Sequence, residues 1–483
     1  MSAFRLLAVA ALTLALAAPA FARDPSRTRL LAAPDPAKAG ETVTLTAEVD
    51  GLGGGAPTGK VSFSDGSVAL GSGTLSSIGT GHGTLATGYG HICALTSTGG
   101  VSCWGANARG QLGDGTSVNR ATPVAVSGLS SGVVAITASR FDHTCALTQA
   151  GAVECWGDNS KGQLGDGTTI RRHTPVAVSG LSSGVVAIAA GHFHSCALTS
   201  GGAVKCWGLD TLGQLGDDGV DYLQSTPRSV VGLSSGVVAI TAGGYHSCAL
   251  TSAGAVKCWG WDTYGQLGDG TSRRLHYTPL AVKGLSSGVV AIAAGHVHTC
   301  ALTSSGAVKC WGRNNYGQLG DGTRTGRRAP VDVATLSNSV VAIGTGSRHS
   351  CAVTSAGDGK CWGSNYDGQL GDGSKTDRLT PDRVSFLHGV TAIGGGVNYT
   401  CASTNAGFVR CWGDNRWGQL GNGTYDRGRY TPRNVPGFTA LVRARASLST
   451  SALTVGTHVL KASFPFDANH LRSNASRELT VVP

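Results

Sequence analysis

The 14 cysteines of this chain fall into seven pairs, each with a spacing of ten: Cys93/Cys103, Cys145/Cys155, Cys196/Cys206, Cys248/Cys258, Cys300/Cys310, Cys351/Cys361 and Cys401/Cys411. Thiols at a fixed spacing either join as disulfides or ligate a soft metal. A zinc site would call for C-x2-C or a convergent His pair, and the sequence offers neither. A second series places a His two residues before the first Cys in six repeats: His91, His143, His194, His246, His298 and His349, with Tyr399 in the seventh. Imidazoles can act as bases or metal ligands. One residue at one phase of every repeat is instead expected to be structural, hydrogen-bonded within its own repeat. A third series is the Asp of "GDGT" ("GDGS" in the sixth repeat): Asp114, Asp166, Asp269, Asp321 and Asp372. It lacks the dense alternating carboxylates of a calcium loop and reads as a turn residue. No Ser/His/Asp order or carboxylate pair stands above the repeat background. No helix follows the Gly pairs, so they are not phosphate loops. No catalytic residue, metal or cofactor is expected, and the chain is not expected to be an enzyme.

The elements that position these residues repeat about every 50 residues, and Trp104, Trp156, Trp207, Trp259, Trp311, Trp362 and Trp412 directly follow the second Cys of each pair. One unit holds four β-rich runs, "VVAI", "HTCALT", "AVKCWG" and "PVDV", separated by Gly, Asn, Asp and Ser. Four strands per unit at this period describe a propeller blade, and the reading is an all-β seven-bladed propeller. The 74 glycines recur at fixed phase, which argues for turns and not for disorder. In "CALTSSGAVKC" a turn centred on Ser305 sets Cys300 opposite Cys310 and Leu302 opposite Val308. Directly opposed residues in an antiparallel pair lie about 4.5–5.5 Å apart, and a disulfide needs about 4.4–6.8 Å between Cα atoms. Seven cross-strand disulfides in an oxidising compartment are therefore expected, each contributing about 2–3 kcal/mol.

The repeat "GHxHxCALTxxGxVxCWGxNxxGQLGDGT" closely resembles that of the regulator of chromosome condensation family, from roughly Gly88 to Gly437. The resemblance implies a seven-bladed propeller. The family's nuclear founder is a guanine-nucleotide exchange factor for a small GTPase, so exchange-factor-like activity is an alternative function here. The Cys pairs depart from the family's usual apolar residues and fit an exported chain.

The ends lie outside the repeats. Residues 1–22, "MSAFRLLAVAALTLALAAPAFA", read as a signal peptide with a small-x-small cleavage site. No later apolar run is long enough to span a bilayer. Residues 23–80 carry "PTGKVSFSDGSVALGSGTL" and residues 441–483 carry "LTVGTHVLKASFPFDANHLRSNASRELTV". Each piece is small for a core of its own. Joined, they resemble one bacterial immunoglobulin-like repeat, which implies a β-sandwich with the propeller, residues 81–440, inserted in one of its loops.

Variation between repeats gathers just before "GQLG", where Trp261, Tyr264, Tyr316, Tyr366 and Trp417 stand, and in the loops after "GDGT", rich in Arg, among them Arg273, Arg274, Arg327 and Arg328. Aromatic and Arg residues anchor interfaces. The equal phase predicts an aromatic arc on one rim, with its edge at the fourth repeat. The expected function is an exported, monomeric binding protein that meets a protein or glycan at the cell exterior through this arc. A net charge of +10 favours acidic surfaces, and no nucleic-acid partner is expected. A glycan-active propeller is a further alternative.

Overall fold

Each Cys-bearing hairpin closes in the register its turn imposes. Cys300 faces Cys310, Leu302 faces Val308, and the other six hairpins repeat the pattern. The disulfides are Cys93–Cys103, Cys145–Cys155, Cys196–Cys206, Cys248–Cys258, Cys300–Cys310, Cys351–Cys361 and Cys401–Cys411. No cysteine is free among the described residues.

The geometry of these pairs corrects the expected spacing. Their Cα atoms are 4.1–4.2 Å apart, closer than the usual lower limit of about 4.4 Å. The reason lies in the ladder. The Val308 N–H turns outward to the Leu336 carbonyl at 3.0 Å, so Leu302 and Val308 form a narrow pair that exchanges no hydrogen bonds. Narrow and wide pairs alternate, which makes Cys300 and Cys310, two residues on, narrow as well. The cysteines are also not surface sites. Cys103, Cys155, Cys206, Cys258, Cys310, Cys361 and Cys411 are 0% exposed, and their partners Cys93, Cys145, Cys196, Cys248, Cys300, Cys351 and Cys401 at most 1%. All fourteen belong to the core, and none to the accessible binding face.

The computed structural model describes residues 26–33, 35–51, 57, 59–77, 84–219, 221–271, 273–465 and 472–483. The expected signal peptide lies outside them. Among the described residues, each hairpin is the middle of a four-stranded antiparallel sheet, and there are seven such sheets. In the fifth, the strands are Val289–Ala294, His298–Thr303, Val308–Gly312 and Arg327–Asp332. We number the sheets 1 to 7 in chain order. Their first strands line a central channel, to which Thr87, Ile136, Ala189, Thr241, Ala293, Ile343 and Gly394 each contribute from a different sheet. The strands that sequence reading left open at the ring's ends are Leu85–Thr87, the first of sheet 1, and Arg429–Thr439, the last of sheet 7. Every sheet is thus one continuous stretch of chain, and sheets 1 and 7 share no strand.

Side chains close the ring. The buried Trp of each sheet packs on the disulfide of the sheet before it: Trp311 on Cys248–Cys258, and Trp104 of sheet 1 on Cys401–Cys411 of sheet 7. Each indole N–H donates to a Gln carbonyl of the preceding sheet, as Trp311 does to Gln266 at 2.9 Å and Trp104 to Gln419 at 3.0 Å. A buried apolar surface with its one polar atom satisfied is a strong inter-sheet contact.

The His series does not bond within its own repeat, as expected from sequence, but across to the next sheet. His91, His143, His194, His246, His298 and His349 meet the hydroxyls of Thr144, Ser195, Ser247, Thr299, Ser350 and Thr400 at 2.8–3.0 Å. Each hydroxyl donates its single proton to the same Gln carbonyl that serves the Trp, for example Thr299 to Gln266 at 3.0 Å. The hydroxyl must then accept from Nε2–H, which fixes the tautomer and leaves Nδ1 unprotonated. None of the six Nδ1 atoms has a hydrogen-bond partner. Burial holds five of these rings down to a pKa of about 3, and His298 well below its usual value.

The seam between sheets 7 and 1 departs from this pattern at both partners. Sheet 1 carries Ile92 where the others carry the hydroxyl, and sheet 7 carries Tyr399 in place of His. The Tyr399 hydroxyl reaches past Ile92 to the carbonyls of His91, at 2.7 Å, and Gly88, at 3.1 Å. Tyr399→His alone should destabilise the ring by about 2–4 kcal/mol, through lost volume and a stranded imidazole. Adding Ile92→Thr should recover about 1 kcal/mol or more through coupling. Denaturation midpoints of the two single variants and the double variant test this, and strict additivity would remove the proposed pairing.

The two remaining sheets each combine strands from both ends of the chain. One holds Ser26–Ala33, Val43–Gly51, Val442–Thr450 and Ser76–Ser77, in that order. The other orders Ala37–Lys38, Ser473–Val482, Gly456–Phe464, Lys60–Asp65 and Val68–Thr74. Their facing sides share one core that includes Leu45, Val61, Phe63, Leu460 and Phe464. Arg443 ties this body to the ring. It pairs with Asp50 and Glu48 and donates to the carbonyl of Val134 in sheet 2 at 3.2 Å. Burial raises the Glu48 carboxyl, but Arg443, Arg445 and Arg29 outweigh it and hold the group at about 2.

Candidate binding face

One hydrogen bond repeated around the ring builds the face. The residue after each "CWG" donates its N–H to the carbonyl of the residue just before the buried His or Tyr. Ala106 bonds Gly90, Asp158 bonds Asp142, Leu209 bonds Phe193, Trp261 bonds Tyr245, Arg313 bonds Val297, Ser364 bonds Arg348 and Asp414 bonds Asn398, all at 2.7–2.9 Å. Two variable segments therefore lie side by side on the same rim in every sheet. Around the rim they supply an acidic pair in sheet 2, apolar and aromatic pairs in sheets 3 and 4, and cations in sheets 5 and 6.

The aromatic members touch. Ring centroids of Phe141 and Phe193 are 4.3 Å apart, those of Phe193 and Tyr245 6.4 Å, those of Tyr245 and Trp261 5.9 Å, and those of Trp261 and Tyr264 5.4 Å. The Arg313 guanidinium lies 4.9 Å over the Tyr264 ring, and that of Arg348 lies 5.1 Å over Tyr316. Such contacts pre-order both the ring and the cation. Toward the axis, His192 stacks 4.4 Å from His296. Arg140 crosses the channel mouth from sheet 2 and donates to the carbonyls of Ala294, at 2.8 Å, and Thr345, at 2.6 Å. Burial lowers Arg140 to about 10, so it stays charged at neutral pH. Burial and then the neighbouring Arg140, Arg348 and Arg313 hold His296 at about 4, and burial with His296 and Arg140 keeps His192 neutral. Burial and then Asp158 raise Asp142 to about 6.

The residues singled out in the sequence take different places. Tyr366 is 78% exposed. Trp417 is 44% exposed and leans over Gly90 across the seam, where an added Cβ would come within 2.9 Å of its ring. Tyr264 is exposed, whereas Trp261 and Tyr316 are half-buried under their neighbours. Arg273, Arg274 and Arg328 are exposed at the outer edge. Arg327 is committed to Asp321 at 2.8 Å, as Arg172 is to Asp166 at 2.7 Å. These pairs lock the "GDGT" turns. The expected edge of the arc at the fourth repeat is also displaced. Phe141 and Phe193 carry the aromatic run back to sheet 2. Sequence reading passed over these two, together with Tyr245, Arg313, Arg348 and Arg140. The available signal was the variable pair between the repeat's Gly and its His.

The sequence pattern of the RCC1-like domain matches residues 73–385 of this chain. The chain belongs to the RCC1-like domain family. The ultraviolet-B receptor UVR8 of Arabidopsis thaliana is 35% identical over 309 residues, which cover 62% of this chain and 69% of UVR8. The human E3 ubiquitin-protein ligase HERC2 is 34% identical over 307 residues, 62% of this chain but only 6% of HERC2. Prp20p of Saccharomyces cerevisiae superimposes with a TM-score of 0.62 at 23% identity, over 72% of this chain and 91% of its own. Human WBSCR16 does so with a TM-score of 0.63 at 23% identity, over 71% and 97%. At these identities the solved structures show the fold, an RCC1-like β-propeller, and the function must be argued from the face.

Proposed function

We propose that this RCC1-like chain is an exported, non-enzymatic binding protein: a seven-bladed propeller, inserted in a loop of an immunoglobulin-like sandwich, that presents one rim to a protein partner. The observation that carries this reading is the contiguous run from Phe141 to Tyr264, flanked by Arg313 and Arg348 held over aromatic faces. Clustered aromatics at a surface mark an interaction site, and adjacent Arg residues select an acidic counterpart. The seven disulfides favour an oxidising compartment outside the cytosol. Structures of yeast Prp20 are described with binding to Gsp1p and histones and in complex with Kap60, which supports a protein partner for a ring of this kind.

The test is capture from the medium of the source cells with the oxidised protein as bait, followed by affinity measurements on the captured protein. Tyr245→Ala and Trp261→Ala should each weaken binding by about 2 kcal/mol or more, as expected of central hot spots. Disulfide content and thermal midpoint should stay close to those of the parent. Equal affinity of the double variant would rule out this face.

A further inference from the structure

In four sheets an Asn–Asp–Arg trio locks the "GDGT" loop. Asn107, Asn159, Asn314 and Asn365 donate Nδ2 to Asp114, Asp166, Asp321 and Asp372 at 3.0–3.1 Å. Arg120, Arg172, Arg327 and Arg378 then pair with the same aspartates at 2.7–2.9 Å. Each trio is neutral, and each donor meets an acceptor.

Sheet 4 keeps the geometry and changes the chemistry. Asp262 stands where the others have Asn, Asp269 is the "GDGT" aspartate, and His276 takes the place of Arg, opposite Gly260 as Arg327 is opposite Gly312. Asp262 Oδ1 still accepts from the Leu267 N–H at 2.9 Å, as Asn314 Oδ1 does from Leu319. Its other oxygen replaces the amide donor, so it faces Asp269 as a second acceptor. Asp262 is 1% exposed and its Oδ2 has no hydrogen-bond partner. His276 Nε2 has none either, and lies 3.6 Å from Asp269 Oδ2. Ligand atoms of the three side chains all lie within 4.8 Å of one another, the one such group among the described residues. With a neutral imidazole and both carboxylates ionised, the trio carries charge −2 where its counterparts are neutral. A buried carboxylate oxygen without a donor is costly unless a cation or a proton meets it.

The geometry points to a divalent transition-metal site of the zinc type, held by Asp262 Oδ2, an Asp269 carboxylate oxygen and His276 Nε2. Carboxylate plus imidazole is a zinc ligand set. Tetrahedral ligands about 2.0–2.1 Å from the metal stand about 3.4 Å apart, which the present spacing reaches with small side-chain movements. The ion does the work of the missing guanidinium and fastens the loop beneath Trp261 and Tyr264. Sheet 3 supplies an internal contrast. It has the second carboxylate, Asp210, but Gln224 in place of an imidazole, and that amide is spent on Asp221 at 2.7 Å.

The test uses the full oxidised protein without a polyhistidine tag, stripped with chelator. Co2+ titration should show one equivalent bound with the absorption of a four-coordinate ion, displaced by Zn2+. Zn2+ should raise the Tm of the parent. The variant Asp262→Asn/His276→Arg restores the trio of the other sheets, so it should fold, lose the stoichiometric Co2+ signal and show no Zn2+ shift. Co2+ bound equally by this variant overturns the assignment, as does stabilisation by Ca2+ or Mg2+ equal to that by Zn2+. If no metal shifts the parent's Tm while Asp262→Asn alone raises it, the two carboxylates share a proton and the site is not a metal site.

Discussion

Refolded in strong reductant, the ring is expected to lose most of its stability. Each disulfide closes a loop between residues ten apart, and a loop of that size contributes about 2–3 kcal/mol. Seven of them together rival the whole net stability of a typical domain, about 5–15 kcal/mol. They also form the surface on which each neighbouring Trp packs, so opening one loosens two sheets. In the native state the half-cystines are at most 1% exposed, so reductant without denaturant should act only as fast as the sheets open. Urea midpoints of oxidised and reduced protein measure the first effect, and thiol release over time measures the second. A midpoint that does not move on reduction, or peptide maps linking cysteines of different sheets, would contradict the hairpin pairing.

Mild acid should also destabilise the ring, by less than reduction does. The six inter-sheet imidazoles are neutral in the fold, five at about 3 against 6.5 for a free ring. Their folded values are depressed, so between these limits the unfolded chain binds more protons, and stability falls as pH falls. Each of these five costs about 2 kcal/mol between pH 7 and pH 5, about 9 together, and His298 acts in the same direction. Three buried carboxyls oppose this in the metal-free protein: Asp142, raised to about 6, and Asp210 and Asp262, raised to about 7. Together they return about 6 kcal/mol over the same range, so the imidazoles prevail by about 3 kcal/mol before His298 is added. The Tm should therefore drop steeply from pH 7 to pH 5. A flat profile would mean that the Nδ1 atoms do have hydrogen-bond acceptors that stabilise the protonated rings.

The hairpin register was legible because it follows from local arithmetic. A turn on Ser305 and a side-chain period of two leave Cys300 one possible partner. The inter-sheet locks were harder to read, since they join residues about 52 apart through ring geometry that no local spacing encodes. One sign was nevertheless present. Five repeats read His–(Ser/Thr)–Cys, and the odd residues of the other two, Ile92 and Tyr399, are the ones that meet at the seam. Arg327 was misjudged for the opposite reason. Arg six residues after the "GDGT" Asp recurs in four repeats, and recurrence marks a turn lock more often than a contact residue. Of the binding face, only the longer variable segment was visible. The segment holding Phe193 and Tyr245 is two residues long, too short to show as a variable region.

The order in which the chain is made gives the mixed sheets a further meaning. Val43–Gly51 is synthesised early, yet its neighbour on one side is Val442–Thr450, and Thr46 meets Ser447 401 residues downstream. Closing so long a loop from an unfolded chain is entropically costly and slow. The ring removes most of that cost, because its folding brings the two junctions together: Ala440 bridges to Thr96, and Leu441 donates to the carbonyl of Leu95. The terminal body is thus a clasp that can shut only after all seven sheets have formed. A chain truncated anywhere in the ring leaves the edge of Val43–Gly51 open, a handle by which proteases and chaperones can tell an unfinished molecule from a finished one.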